Sequence, residues 1–422
     1  MNLEFLGWPG SASGLAAGEI VRVGGAIFAY VLAGNVLLRP KYPPFIKSML
    51  FSLLNVAAVF SFFFCEQLSW PPKYKPDDLH RFALYVAFAS AHWIFLYLLS
   101  RERTSGVRYV VGLLFPLVPL VVVKIQTAWH LIGFSYMAFR MCQAVMETRK
   151  DAKLGVSFFA YVSFLFFPLT IPIGPISPLG YFLRGMAGQM PATTINLLRG
   201  MVRILLGYIM VRYLATIAYQ VSFASLWQDG FRHGVADLIL ASYGSLAYLY
   251  FNFAGFTHIV IGASALLGIP VKENFDSPIL STSMKEFWTR WHITLSELSR
   301  DLVYTPFSVA IARTLGPRAV LPAAIIAAIA TFVMIGLWHQ FSWGFLVFGL
   351  MHGVGYSINI VFEAILRRFP RDGRVAALRR GLPWKLSCWW STITYVSLSM
   401  VVVEFSTAVQ LTQAMTLFLY RW

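Results

Sequence analysis

"AAIIAAIATFVMIGLWHQFSWGFLVFGLMHG", residues 323–353, contains no Asp, Glu, Lys or Arg; its ionisable groups are His339 and His352. A bilayer core about 30 Å thick asks for about 20 apolar residues per crossing helix. The stretch reads as one crossing that ends near Trp338, a brief polar turn, and the start of a second crossing. Ionisable residues at that depth are costly and generally face a protein interior or a wet cavity. A neutral imidazole in such a place is what a general base needs, so His339 is a candidate for chemistry. His352, among Gly349, Gly353 and Gly355, is expected to pack and hydrogen-bond where helices approach closely.

The rest of the chain agrees with this reading. Of 422 residues, 58% are hydrophobic and 12% charged, where soluble domains carry about 25% charge. Ten candidate spans lie near 17–38, 45–64, 81–100, 107–124, 155–175, 200–226, 233–253, 317–338, 342–364 and 387–410. No polar linker divides them, and one membrane-embedded domain over 1–422 is expected. The stretch 255–269, "GFTHIVIGASALLGI", is too short to cross simply and reads as half of a broken or re-entrant helix. Residues 127–149 are apolar on most faces and read as a horizontal or peripheral helix. "FFPLTIPIGPISP" (166–178) holds four prolines; each removes a donor and clashes with the preceding turn, so this segment must be broken.

Lys and Arg number 34 against 18 acidic residues, a net charge of +16. The excess falls in short loops such as 39–47, 101–108, 147–153 and 367–385, the pattern of loops facing anionic lipid. No nucleic-acid motif accompanies it. Cys65, Cys142 and Cys388 stand singly in apolar surroundings and read as small buried hydrophobes. The N-terminal stretch lacks the basic start of a cleaved signal peptide, which predicts that the first span is retained. No zinc-ligand spacing, P-loop or GxSxG elbow is present.

The most polar long stretch is "KENFDSPILSTSMKEFWTRWHITLSELSRDLVYTP" (272–306). Ser281–Glu286 offers cap residues for a helix starting near 283. On that helix Trp288, Trp291, His292 and Leu295 would share one face, while Lys285, Arg290 and Glu297 lie elsewhere. His258, in the short apolar stretch, either faces a pore or bonds to backbone. His80, His92, His130 and His233 read as peripheral or isolated.

"YFNFAGFTHIVIGASALLGIPVKENFDSPILSTSMKEFWTRWHITLSELSRDLVYTPF" (250–307), followed by "GLWHQFSWGFLVFGLMHG" (336–353), resembles the membrane-bound O-acyltransferase family, in its bacterial branch of teichoic-acid D-alanylation and alginate-acetylation proteins. The likeness begins with "IGFSYMAFRMCQAVMETR" (132–149) and "FFPLTIPIGPI" (166–176), and covers roughly 130–356. It implies an all-α polytopic fold: a ring of about eleven helices, with broken or re-entrant segments, around a central tunnel. It places the family's catalytic histidine on His339 and its second histidine on His292. Trp288, Trp291, Trp338, Asn252, His258 and His352 are then expected to line the tunnel, and Arg290 and Arg300 to attract a donor phosphate or an acidic carrier.

The implied reaction moves a D-alanyl, acetyl or similar group from a cytoplasmic thioester, on acyl carrier protein or acyl-CoA. The acceptor is a hydroxyl of an extracytoplasmic cell-envelope polymer, reached with an esterase-like partner protein at the bacterial plasma membrane. No bound cofactor and no metal are implied. Gln340, Glu297, Leu298, Thr257 and His258 depart from the branch's usual residues, which leaves acceptor, partner and acyl group open. A lipid or protein acceptor, or a transporter with a histidine proton relay, remain as alternatives.

Overall fold

The computed structural model describes residues 17–38, 41–64, 76–101, 106–125, 133–151, 156–188, 194–228, 234–370, 373–407 and 409–410. Cys65, His130, His233 and the N-terminal stretch 1–14 lie outside them. Every regular element among the described residues is helical; one isolated bridge pairs Phe275 with Trp291. Seven helices are long and apolar enough to cross a membrane among these residues. They coincide with seven of the ten expected spans. The stretches at 24–37 and 158–170 are apolar but shorter. The chain is an all-α, multi-pass membrane protein, and it divides into two compact units.

One unit comprises residues 2–209 and 255–272. Its helices are α1 (Ala17–Leu37), α2 (Pro44–Phe63), α3 (Pro76–Arg101), α4 (Gly106–Ile125), α5 (Phe134–Lys150), α6 (Phe158–Leu165), α7 (Leu179–Met186) and α8 (Thr194–Ile209). The proline-rich segment is broken as expected: α6 stops at Leu165, a single 3-10 turn follows at Pro168–Thr170, and extended chain leads to α7. Nearly all of it is buried, which is where non-helical backbone at membrane depth is tolerated.

Side chains from neighbouring helices satisfy the carbonyls that the break leaves open. Asn55 Nδ2 donates to the Ser163 carbonyl at 3.0 Å, and Arg140 Nη1 to the Phe164 and Leu165 carbonyls at 2.9 and 3.3 Å. Arg140 Nη2 also donates to Thr170 Oγ1. Two turns along α5, the Glu147 carboxylate accepts the Leu179 and Gly180 N–H groups at 2.9 and 2.8 Å. A cation thus meets the C-terminus of α6 and an anion the N-terminus of α7, each the favourable sign for the helix dipole. Burial raises the Glu147 pKa, and those two N–H bonds oppose the rise.

Helix α5 is therefore not peripheral. Twelve of its residues, Phe134 through Thr148, are buried, as befits a helix apolar on most faces. His92 is likewise not peripheral: it is fully buried on α3, with Nδ1 2.6 Å from the Tyr161 hydroxyl. Cys142 is buried and Cys388 only partly so.

The other unit holds residues 210–254 and 273–422. A π-helical turn at Met210–Leu214 leads into α9 (Ala215–Gln220) and α10 (Phe223–Gln228). Then come α11 (Val235–Leu266), α12 (Met284–Arg290), α13 (Ile293–Ser299), α14 (Thr305–Leu315), α15 (Val320–His339), α16 (Trp343–Leu366), α17 (Arg374–Arg380) and α18 (Leu382–Val402). The stretch 255–269 is corrected here: most of it continues α11, an unbroken helix of 32 residues that enters both units. Its glycines are packing sites. A Cβ on Gly262 would meet Ile204 of α8 at 2.8 Å, and one on Gly207 of α8 would overlap the Gly255 carbonyl. Small residues permit this close helix approach.

Helices α15 and α16 form the antiparallel pair that the opening stretch encodes. Ser342 caps α16, its hydroxyl accepting the Phe345 N–H at 3.4 Å. Backbone touches backbone along the seam: a Cβ on Gly336 would overlap the Phe345 carbonyl, and one on Gly349 would lie 2.5 Å from the Phe332 carbonyl.

Candidate active site

The expected single helix carrying Trp288, Trp291 and His292 does not exist. Ser283 caps α12, accepting the Glu286 N–H at 3.1 Å, but α12 ends at Arg290 and Trp291 is extended. His292 adopts φ 43° and ψ 53°, the left-handed region, and α13 starts after it. The cause is tertiary. Segment 274–276 runs antiparallel to 290–293: Asp276 N–H donates to the Arg290 carbonyl and Ile293 N–H to the Asn274 carbonyl, both at 2.9 Å. Left-handed backbone is uncommon for residues other than glycine and concentrates where the surroundings enforce it, often at functional sites.

His292 is buried at 3% exposure, with the Phe253 ring edge-on at 4.8 Å between centroids. Its Nδ1 lies 3.2 Å from Asn274 Oδ1. That oxygen also faces the Thr294 backbone N–H, which only donates, so the ring nitrogen must be the donor. The tautomer is Nδ1–H, with the lone pair on Nε2. Burial, reinforced by the neighbouring His339, lowers the His292 pKa to about 3. The ring is neutral at physiological pH.

His339 ends α15, half-buried. Its ring lies 4.4 Å from the Trp338 ring and 5.6 Å from the Phe345 ring, nearly parallel to the latter. His339 is a neighbour close enough to contribute to the lowered His292 pKa. Residues 47 apart in sequence are made neighbours by the fold.

Trp291 packs in an aromatic cluster with Phe275, Phe287 and Tyr250 at 5.1–6.4 Å. Trp288 donates its indole N–H to His352 Nδ1 at 3.1 Å, and the opposite nitrogen of His352 lies 2.8 Å from Ser399 Oγ. Both nitrogens of that fully buried histidine are engaged. Asn252 is half-buried on α11, one turn after Tyr248. His258, further along α11, belongs to the other unit.

Arg290 pairs with Glu286 at 2.9 Å, and Arg300 with its neighbour Asp301 at 2.9 Å. Arg300 is the more exposed, with 58% of its side chain accessible against 32%. Among the described residues no group of three His, Cys, Asp or Glu side chains could hold a metal ion.

Three residues of this region escape sequence reasoning. Asn274 and Thr294 look like ordinary loop and helix residues until the 274–276 pairing is known. Ser399, on α18, carries no local signal at all. Two histidine rings, one with a bare lone pair, in an apolar aromatic surround can accept a proton from an alcohol and exclude water from a reactive ester.

A sequence profile of the membrane-bound O-acyltransferase family (MBOAT) matches residues 75–403. The chain is 28% identical over 304 residues to a teichoic acid D-alanyltransferase of Streptococcus thermophilus, covering 68% of this chain and 72% of that protein. It is 30% identical over 160 residues to a peptidoglycan O-acetyltransferase of Helicobacter pylori, covering 37% of this chain and 27% of that protein. It is also 37% identical over 119 residues to an Azotobacter vinelandii protein named "Probable alginate O-acetylase AlgI", covering 28% and 22% of the two chains. The profile takes in α3 through α18 and both histidines of the site, and the chain belongs to the membrane-bound O-acyltransferase family.

Proposed function

We propose that this membrane O-acyltransferase moves a D-alanyl, acetyl or similar small acyl group from a cytoplasmic thioester to a hydroxyl of an extracytoplasmic cell-envelope polymer. The donor is carried by an acyl carrier protein or coenzyme A. An esterase-like partner receives or passes on the group at the outer face of a bacterial plasma membrane. Relatives named for teichoic acid D-alanylation and for peptidoglycan and alginate O-acetylation support a polymer acceptor. The observation that carries the reading is the buried His292 ring, held at Nδ1 by Asn274 Oδ1 at 3.2 Å with His339 as a neighbour.

In this mechanism a neighbouring hydroxyl of the polymer acceptor donates to His292 Nε2, which orients the acceptor, while the attacking hydroxyl points its one proton at His339. His339 takes its proton as the oxygen attacks the thioester carbonyl. A C–O bond forms, the tetrahedral intermediate collapses, the C–S bond breaks, and the thiolate leaves with the proton from His339. A positioned base contributes about 10²–10⁴-fold. Because His292 Nε2 accepts and cannot donate in the neutral tautomer, it suits holding the alcohol better than stabilising the oxyanion. Trp291 and Trp338 help to form a tunnel wall between two aqueous compartments, and Arg300 offers an exposed cation to a donor phosphate or acidic carrier.

The test is ester-linked acyl content of envelope polymer in cells carrying wild type, His339→Ala or a deletion, with membrane levels matched. Wild-type esters with a mutant that behaves like the deletion are the expected result. Equal acyl content in all three strains overturns the polymer reading and brings a lipid or protein acceptor, or transport, to the front.

A further inference from the structure

Asn274 is wholly buried, and its side-chain amide is used unequally. Oδ1 takes three donors: Thr294 Oγ1 at 2.7 Å, the Thr294 backbone N–H at 3.2 Å and His292 Nδ1 at 3.2 Å. The Nδ2 group finds no acceptor among the described residues. The Asn274 backbone carbonyl also takes the Ile293 N–H. Asn274 therefore caps the first two N–H groups of α13 from a remote segment, while His292, the residue at the cap position, makes no side-chain capping bond. Turning the amide over would set N–H against the Thr294 N–H, so the network fixes which atom faces His292.

We propose that Asn274 is a positioning residue of the active site: its Oδ1, pinned by Thr294, holds the Nδ1–H of His292 and leaves Nε2 as the lone pair that holds the acceptor beside its attacking hydroxyl. An imidazole held on one nitrogen by a fixed acceptor keeps one tautomer and one ring plane. Without Oδ1 the two neutral tautomers compete, and in the wrong one Nε2 carries a proton and can no longer accept the hydrogen bond that holds the acceptor. The amide is neutral, so it selects the tautomer without drawing the ring toward imidazolium. Left-handed backbone at His292 and the edge of Phe253 fix the ring's remaining freedom. The assignment rests on His292 receiving the acceptor, as described above, and names the residue that prepares it.

The experiment is 15N NMR of ring-labelled histidine in the full-length protein in bilayers, with His292 assigned by its loss in His292→Asn. Wild type is expected to show Nδ1 protonated and Nε2 bare at neutral pH. The opposite tautomer, or a mixture, overturns the proposal whatever the activity data say. Asn274→Leu should give a mixed tautomer and slow acyl-ester accumulation about 10²-fold at matched levels of folded protein. Asn274→Asp, whose carboxylate still accepts from Nδ1–H and still caps α13, should keep Nδ1 protonated, while its charge draws the ring toward imidazolium and so costs rate.

A pure capping role predicts wild-type turnover per folded Asn274→Leu molecule, and that result also overturns the proposal. Should Asn274→Leu not fold, Thr294→Val, which removes the shorter of the two Thr294 bonds to Oδ1, takes its place with the same readouts. Loss of the polymer-acylation reading itself would appear as equal acyl content in wild type, His339→Ala and the deletion, an outcome that leaves the tautomer measurement independent.

Discussion

Trp288 and His352 are joined by a buried hydrogen bond of 3.1 Å that decides the state of the histidine. An indole N–H only donates, so His352 Nδ1 accepts and Nε2 carries the proton. That proton goes to Ser399 Oγ, and the Ser399 hydroxyl passes its own to the Val396 carbonyl at 2.6 Å. The relay tethers α12, α16 and α18 through one imidazole. It leaves His352 with no nitrogen to offer a substrate.

A cycle of variants follows from this bond. His352→Leu strands the Trp288 N–H and should lower stability by about 1–3 kcal/mol. Adding Trp288→Phe removes the stranded donor, so the double variant should cost less than the two singles together. Thermal unfolding in detergent measures the cycle, and acyl-ester content per folded molecule should stay near wild type. Additive costs, or turnover lost in folded His352→Leu, would contradict the structural role.

His292 makes a pH prediction whose sign is fixed. Its pKa falls from the ordinary 6.5 to about 3 in the folded chain. Between those values the unfolded chain binds the proton and the folded chain does not, so stability falls as pH drops below about 6.5. One such group removes about 2 kcal/mol by pH 5. His292→Asn, a residue that tolerates left-handed backbone, abolishes this contribution. Its unfolding midpoint should drop less than that of wild type between pH 7 and pH 5, and equal drops would show that His292 is not held neutral by burial.

What the sequence reveals and what it hides divide along physical lines. The crossings of α15 and α16 are legible because length and apolarity alone define them. The break at 166–178 is legible because proline forbids the alternative. The stretch 255–269 misleads because it is short when counted apart from 233–253, whereas no break separates the two, and at Gly255 and Gly262 the continuous helix packs against α8. The interruption at His292 is invisible because Trp288, Trp291 and His292 match a helical stripe, and the force that bends the chain is pairing with residues 274–276. Asn274 is hidden for the same reason. Arg140 does leave a trace: a lone cation within an apolar run demands a buried partner.

The seam between α15 and α16 positions His339, and Gly336 lies one turn before it. A Cβ there would overlap the Phe345 carbonyl, a backbone atom that cannot rotate away. Gly336→Ala should push the helices apart at a cost of about 1–3 kcal/mol and shift the His339 ring. Turnover per folded molecule should then fall about 10²-fold. Gly24→Ala on α1, where nothing lies within 4 Å of the new Cβ, is the control and should leave turnover unchanged and stability no lower than wild type. Wild-type turnover in Gly336→Ala would show that the seam does not set the histidine.

The broken segment supplies the last prediction, because its stability depends on two charges of α5. Arg140 covers the Phe164 and Leu165 carbonyls, and Glu147 covers the Leu179 and Gly180 N–H groups. Neither has an apolar substitute, since the backbone groups stay buried when the side chain is removed. Arg140→Met should cost several kcal/mol, at about 1–3 kcal/mol per stranded group. Arg140→Lys should recover only part of it, because one ammonium cannot reproduce the planar fork that reaches the carbonyls and Thr170 together. Glu147→Gln, which keeps one acceptor oxygen and loses the charge, should cost about 1–2 kcal/mol through the dipole and one lost bond. Detergent unfolding ranks the three variants. If Arg140→Lys matches wild type, a positive charge alone holds the end of α6, and the forked geometry contributes nothing.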